Sequence, residues 1–266
     1  ANGDEAFLSE WSAVVSNLLL DNNIFSGQTF TGLNPGGVGS STQFAAGNNV
    51  PRQLVVIGGG GNTSNVTFTN NILTGKSGGV STDDGVSNQG NYLATIDANG
   101  ATITGNTFKG STTTSASLRA RGTNTKISGN TFDNAGLTGT AAHLEVKNSI
   151  FSGSEDITDI WNNNSFVGNT AVSDNSGVSN FDMIGRTIQK AVNATLSGGK
   201  VYVSDGTFNE NVTINKSLTM TSKNGRSNTT INGTAGAGLG TVVITDGINN
   251  VQIGDTGKGF TINGFD

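Results

Sequence analysis

The residues able to carry acid–base, ionic or metal chemistry fall in four places along the chain. Asp83 and Asp84 stand side by side in VSTDDGVSN (Val80–Asn88). Paired carboxyls are what glycosidic cleavage needs, one as general acid and the other as base or nucleophile. His143, the single histidine, lies in AAHLEV (Ala141–Val146). Arg119 and Arg121, in SLRARG, are two apart and so share a face if that segment is a strand. With Asp83 and Asp84 they form a candidate groove for an acidic polysaccharide. Acid also gathers in STDDG and in GSEDITD (Gly153–Asp159), without the spacing of an EF-hand or a nonapeptide calcium repeat.

Each of these has a plainer role set against it. The acidic stretches read as surface acid, with a weak structural Ca²⁺ site as the alternative. The histidine reads as structural or surface, and the arginines as solvated. On this balance no catalytic residue, metal or cofactor is expected, and the elements that would position such groups carry more information than the groups do.

Composition bounds those elements. Hydrophobic residues make up 33% of 266, but forty glycines add about 15%, which restores the level of a folded domain. Only 12% of residues are charged. Asn, Thr, Ser and Gly fill the gap, as suits many short strands joined by turns that need positive φ. The net charge of −5 and fourteen scattered Lys and Arg argue against a nucleic-acid partner. No apolar run is long enough to span a membrane as a helix. With no cysteine there are no disulfides or thiolate metal sites, a composition compatible with bacterial secretion.

The chain contains a repeat. LLLDNNIFSG (Leu18–Gly27), VTFTNNILTG (Val66–Gly75), ATITGNTFKG (Ala101–Gly110) and TKISGNTFDN (Thr125–Asn134) are one pattern, with weaker copies in LEVKNSIFSG (Leu144–Gly153) and DIWNNNSFVG (Asp159–Gly168). Aligned, they give a polar column of Asn23, Asn71, Asn106, Asn130 and Asn164, with Ser149 as the exception. Two positions on runs an apolar column of Phe25, Leu73, Phe108, Phe132, Phe151 and Phe166. A second strand precedes several copies, its leucine at 54, 93, 118 and 144. In that alignment Arg119 and Arg121 match Val55 and Ile57, and Ala94 and Ile96. Two strands per period are legible, joined by an Asn bend expected to take left-handed backbone; a third strand is not. The last two copies are closer together than one full period, so a taper or cap is expected there.

Stacked at about 4.8 Å, equivalent residues of successive periods form ladders, in which Asn amides bond from layer to layer and phenyl rings stack. The motif set resembles the right-handed parallel β-helix of the pectin-lyase-like superfamily, as found in repetitive bacterial surface proteins. The resemblance implies an all-β solenoid with one short capping helix. The motifs of that superfamily's enzymes are absent: no His-Gly or Arg-Ile-Lys element accompanies the aspartate pair, no Asp cluster lies beside Arg119, and there is no Asp-Pro-His-Glu.

The second informative stretch runs from Phe181 to Phe208. Ile184, Ile188, Ala191, Val192 and Leu196 recur at helical spacing, and Gly198 and Gly199 follow, predicting a helix over 182–196. Strands in KVYVSDG and ENVTINKSLTM come next. In the family it resembles, helix then strand is the opening of the domain, with the helix plugging the first coil. Three segments are therefore expected: β-helix coils over 1–170, a polar connector over 171–181, and a capping helix with opening coils over 182–266.

The final alternation, Phe260, Ile262 and Phe265, stops in mid-pattern. Placed before Phe7, Leu8 and Trp11, it reads as continuous β-helix sequence. Three arrangements satisfy this: one period of a tandem-repeat surface protein, a subunit stacking head to tail on another copy, or a permuted chain closing on itself. The function expected is an extracellular structural protein of a bacterial surface or matrix filament, whose partners are further copies of itself. A carbohydrate-active β-helix is the alternative.

Overall fold

A computed structural model describes residues 7–8, 14–26, 54–58, 62–74, 92–109, 116–133, 142–147, 150–152, 155–175, 181–235 and 240–264. Asp83, Asp84, Trp11 and Phe265 lie outside these residues, as do the side chains of Phe7 and Leu8. The chain is mostly β, with parallel sheets and two short helices among the described residues. It divides into two units, residues 1–144, 149–153 and 163–167, and residues 145–148, 154–162 and 168–266.

In the first unit the repeated pattern is two strands, not one. The residues before the column Asn form one parallel ladder: Leu19–Asp21, Thr67–Thr69, Thr102–Thr104 and Lys126–Ser128. Those after it form another: Ile24–Ser26, Ile72–Thr74, Thr107–Lys109, Thr131–Asp133 and Ser165–Phe166. With the longer ladder of Phe7–Leu8, Val55–Ile57, Ala94–Asp97 and Ala116–Arg121, this makes three recurring strands per period, and a short fourth pairs Val15–Ser16 with Thr63–Ser64 in the first two. The strand that sequence reasoning lacked is the one carrying the phenylalanines.

Each three-residue strand beside the column Asn sends its middle side chain inward, and its flanking residues, mostly polar, outward. Leu20, Phe68, Ile103 and Ile127 are therefore in register, as are Phe25, Leu73, Phe108, Phe132 and Phe166. The rings of Phe108 and Phe132 stack at 4.9 Å and 6°, and those of Phe132 and Phe166 at 4.9 Å and 7°.

Phe151 is not in this column. The ladder steps from Asn130 to Asn164, 34 residues on, so the Leu144–Gly153 copy is no rung. Ile150 is buried instead, its carbonyl accepting from Thr125 N–H at 3.1 Å. The short spacing noted in the sequence is an insertion within one period.

The left-handed residue of each bend is also not the column Asn but the one before it: Asn22 (φ 57°), Asn70 (55°), Gly105 (68°) and Gly129 (66°). At Gly105 a side chain is excluded twice over, by its φ and by Asn70, whose Oδ1 would lie 2.5 Å from an added Cβ.

The second unit holds α1 (Ile157–Asn162) and α2 (Ile188–Ala194). Its parallel ladders join Lys200–Val203, Leu218–Ser222 and Val251–Ile253; Gly206–Asn209, Thr229–Asn232 and Thr261–Asn263; and Val212–Ile214 with Val242–Ile244. Two corrections follow. Ala171–Asp174, expected in a polar connector, is a fully buried strand, antiparallel to both Phe181–Gly185 and Lys200–Val203. The helix expected over 182–196 begins only at Ile188, because Phe181–Gly185 pairs with that strand. Ile184 and Ile188 are four apart, as on a helix. The strand pairing nevertheless sets the local conformation, burying Asp182 and Ile184 on one face while Phe181 and Met183 stay half-buried.

Ile188, Ala191 and Val192 of α2 pack into a core with Val201, Val203, Phe208, Val212, Ile214, Leu218, Met220 and Ile231.

Candidate functional site

The column asparagines form a continuous ladder, buried at Asn71, Asn106 and Asn130. Backbone N–H and Nδ2 of each donate to Oδ1 of the next: Asn23 to Asn71 at 2.9 and 3.0 Å, Asn71 to Asn106 at 2.9 and 3.1 Å, Asn106 to Asn130 at 2.9 Å each, and Asn130 to Asn164 at 2.9 Å each. The second Nδ2 hydrogen of Asn71, Asn106, Asn130 and Asn164 reaches back to the carbonyl of Leu20, Phe68, Ile103 and Ile127, at 2.8 to 3.0 Å. An amide that donates twice and accepts twice has its hydrogen-bonding capacity filled. Where it is buried, the ladder locks layer spacing and register.

Of the candidate groove only Arg119 and Arg121 fall among the described residues, Asp83 and Asp84 lying outside them. Arg119 is only 6% exposed, with its guanidinium 5.3 Å from the centre of the Tyr92 ring. Its register partner is Thr95, which pairs with Val56, and Arg121 pairs with Asp97. The alignment on leucines is thus one residue out of step, because Ala94, not Leu93, sits beside Leu118. Arg119 is buried, not solvated. His143 is fully buried with its ring edge-on to Phe166 (5.4 Å) and Phe132 (6.5 Å), a core packing residue. Among the described residues no three acidic or histidine side chains cluster in a way that could hold a metal ion.

The parts that carry information are the end layers of each unit. In the second unit one end is closed by α2, and three residues missed in the sequence close it. Glu210 accepts from the first N–H groups of the helix, Ile188 at 2.8 Å and Gln189 at 2.9 Å. Burial raises its carboxyl above the ordinary range, opposed by those same bonds. Lys216 Nζ donates to the helix-end carbonyls of Asn193 (3.3 Å) and Thr195 (2.9 Å). Positive and negative helix ends thus each meet the opposite charge. The Gln189 amide pairs with the backbone of Thr213 as a strand would, accepting from its N–H at 2.6 Å and donating to its carbonyl at 3.2 Å. Nothing in local sequence marks these contacts, since each partner lies about twenty or more residues away.

Behind the helix, Asn175 holds its far end: Oδ1 accepts from Leu196 N–H at 2.7 Å, and Nδ2 donates to the Phe181 and Ala194 carbonyls. Its own N–H donates to Asp182 at 2.7 Å. Burial pushes the Asp182 carboxyl up to about 7, with Asp174 and Asp156 adding to the rise and the Asn175 bond opposing it.

Among the described residues, the opposite end of that unit is open. In the column Phe208, Ile231, Ile262 the first two side chains are 3% and 0% exposed, whereas Ile262 is 46% exposed. Ile244 is likewise exposed, and Phe260 is only partly buried against the core. In the first unit, among the described residues, the first layer is open in the same way. Leu20 and Phe25 are half-buried although their partners Phe68 and Leu73 are fully buried, and Leu19 and Ile24 are exposed.

Comparison of the chain with protein-family models, with curated proteins and with solved structures returns no match. No helix among the described residues is long and apolar enough to cross a membrane.

Proposed function

We propose that the chain is a right-handed parallel β-helix of the pectin-lyase-like kind, serving as an extracellular structural element of a bacterial surface or matrix filament whose copies stack head to tail. The observation that carries this is the Ile262 column, buried at two rungs and open at the third. An apolar layer with an unpartnered parallel edge associates with another edge unless something covers it. The helix-closed face of the same unit, with Glu210, Lys216 and Gln189 in place, is what a covered end looks like.

The mechanical role follows from the ladders. A rod whose backbone bonds, Asn amides and phenyl rings all run from layer to layer resists bending and proteolysis, because opening one layer disrupts both neighbours. In-register parallel strands, a repeat as short as 24 residues between Asn106 and Asn130, and a helix closing the opening strands support the β-helix assignment.

Negative-stain microscopy of the purified chain tests this. Unbranched rods are expected, and truncation after Asn232, which removes the open layer, abolishes them. Compact particles under all conditions would refute the proposal.

A further inference from the structure

Building on the head-to-tail reading, we infer that the joint between copies has one register: Thr261–Asn263 of one copy adds to Leu19–Asp21 of a second copy as a parallel strand, with Ile262 directly over Leu20. The two edges match in two respects.

The first is backbone phase. In a parallel pair, alternate residues point N–H and C=O to opposite sides. Gly233 N–H donates to Asn263 C=O at 3.0 Å, so Thr261 and Asn263 face their own layer and Ile262 presents both groups outward. In the other edge, Thr67 N–H donates to Leu18 C=O (2.8 Å) and Asn22 N–H to Thr69 C=O (3.1 Å). Residues 18, 20 and 22 therefore face inward along the stack, and Leu19 and Asp21 face out. With Ile262 over Leu20, Ile262 N–H meets Leu19 C=O and Asp21 N–H meets Ile262 C=O, the ordinary parallel bond pair.

The second is side-chain facing. Ile262 belongs to the inward column of Phe208 and Ile231, and Leu20 to that of Phe68 and Ile103. A slip of one residue would break both phase and facing at once. The register that satisfies the backbone is thus also the one that continues the core.

Charge is not one of them. Asn263 falls over Asp21. Oδ1 of Asp21 accepts from Thr69 Oγ1 (2.8 Å) and Asn70 Nδ2 (2.9 Å). The amides of Asn209, Asn232 and Asn263 form a column, linked at 3.0 and 2.8 Å. Each Nδ2 in it donates back to the preceding layer, Asn263 to Asn232 and Asn232 to Asn209, so a bond from Asn263 to the Asp21 carboxylate requires the column to turn over.

Cysteine cross-linking tests the register, because the chain has no native cysteine. Thr261→Cys and Leu19→Cys alter the outward neighbours of the paired columns. Directly opposed positions on paired strands lie about 4.8 Å apart, within disulfide range. Mixing the two single variants under mild oxidation is expected to give a two-chain product at least tenfold faster than mixing Thr261→Cys with Asp21→Cys. Equal or reversed rates, with the unsubstituted chain still associating in sedimentation, would overturn the register and leave head-to-tail stacking standing. Failure of the unsubstituted chain to associate would remove both. A chain carrying Thr261→Cys and Leu19→Cys together that closes at single-chain mass would show the occupant to be the same molecule, also overturning the proposal.

Discussion

Asn106 and Asn130 are joined twice: the backbone N–H and the Nδ2 of Asn106 both donate to the same Oδ1 of Asn130, each at 2.9 Å. Because Asn106 Oδ1 receives the same two bonds from Asn71, its amide is shared by three layers. Asn106→Leu leaves the Asn71 N–H and Asn130 Oδ1 buried with lost partners, and is expected to destabilise the chain by roughly 3 kcal/mol. The equivalent change at half-buried Asn23, where no described rung precedes it, is expected to cost under about half as much. Urea unfolding of both variants checks this, with unchanged m-values showing that the comparison is of like states.

Gly105 and Gly129 occupy the same bend one layer apart, with φ of 68° and 66°, yet differ in what surrounds them. An added Cβ at Gly105 lies 2.5 Å from Asn70 Oδ1, whereas at Gly129 the nearest atom is 3.8 Å away. Gly129→Ala is expected to cost only the left-handed backbone, about 1 kcal/mol. Gly105→Ala should cost at least about 1 kcal/mol more, since the Asn70 side chain must leave its bond to Asp21. Equal melting temperatures for the two would contradict this arrangement.

How far these relationships could be read in advance varies with their range. The column asparagines and most of the phenylalanines were legible because each recurs at a fixed place in a repeated ten-residue pattern. Phe151 misled because a similar local string says nothing of whether it pairs with a neighbouring strand, and here the ladder passes from Phe132 to Phe166. The bends were misplaced by one residue because Asn22–Asn23 and Asn70–Asn71 are pairs, and only the Gly-Asn copies, Gly105–Asn106 and Gly129–Asn130, show which member is left-handed. Arg119 was placed opposite the wrong neighbours because a leucine alignment cannot see the one-residue offset that puts Ala94 beside Leu118. The α2 closure was out of reach: Glu210 meets Ile188 only through tertiary folding.

Asp182 gives the fold an inverted pH response. Its carboxyl titrates near 3.8 in an ordinary setting and near 7 when buried in the folded chain. The folded state therefore holds this proton more tightly. Above about pH 7 the buried charge lowers stability by its full amount; as pH falls toward about 4 that loss disappears, so this group stabilises the fold on acidification. The change is on the order of 2–4 kcal/mol. Asp182→Asn, which keeps an oxygen for Asn175 N–H, is expected to raise the melting temperature at pH 8 and leave it nearly unchanged at pH 4. Thermal melts of both chains across that range check it, and a parallel pH dependence in the two would count against it.

The most direct measurement is sedimentation velocity of the full chain over a hundredfold concentration range, beside Ile262→Asp. The substitution places a charge on an open-layer side chain that is exposed in the isolated fold, so folding should survive it while stacking does not. The expected result is a sedimentation coefficient that climbs with concentration for the unsubstituted chain and stays at the value of a single 27.0 kDa chain for the variant. A single-chain value for both at every concentration would contradict head-to-tail assembly.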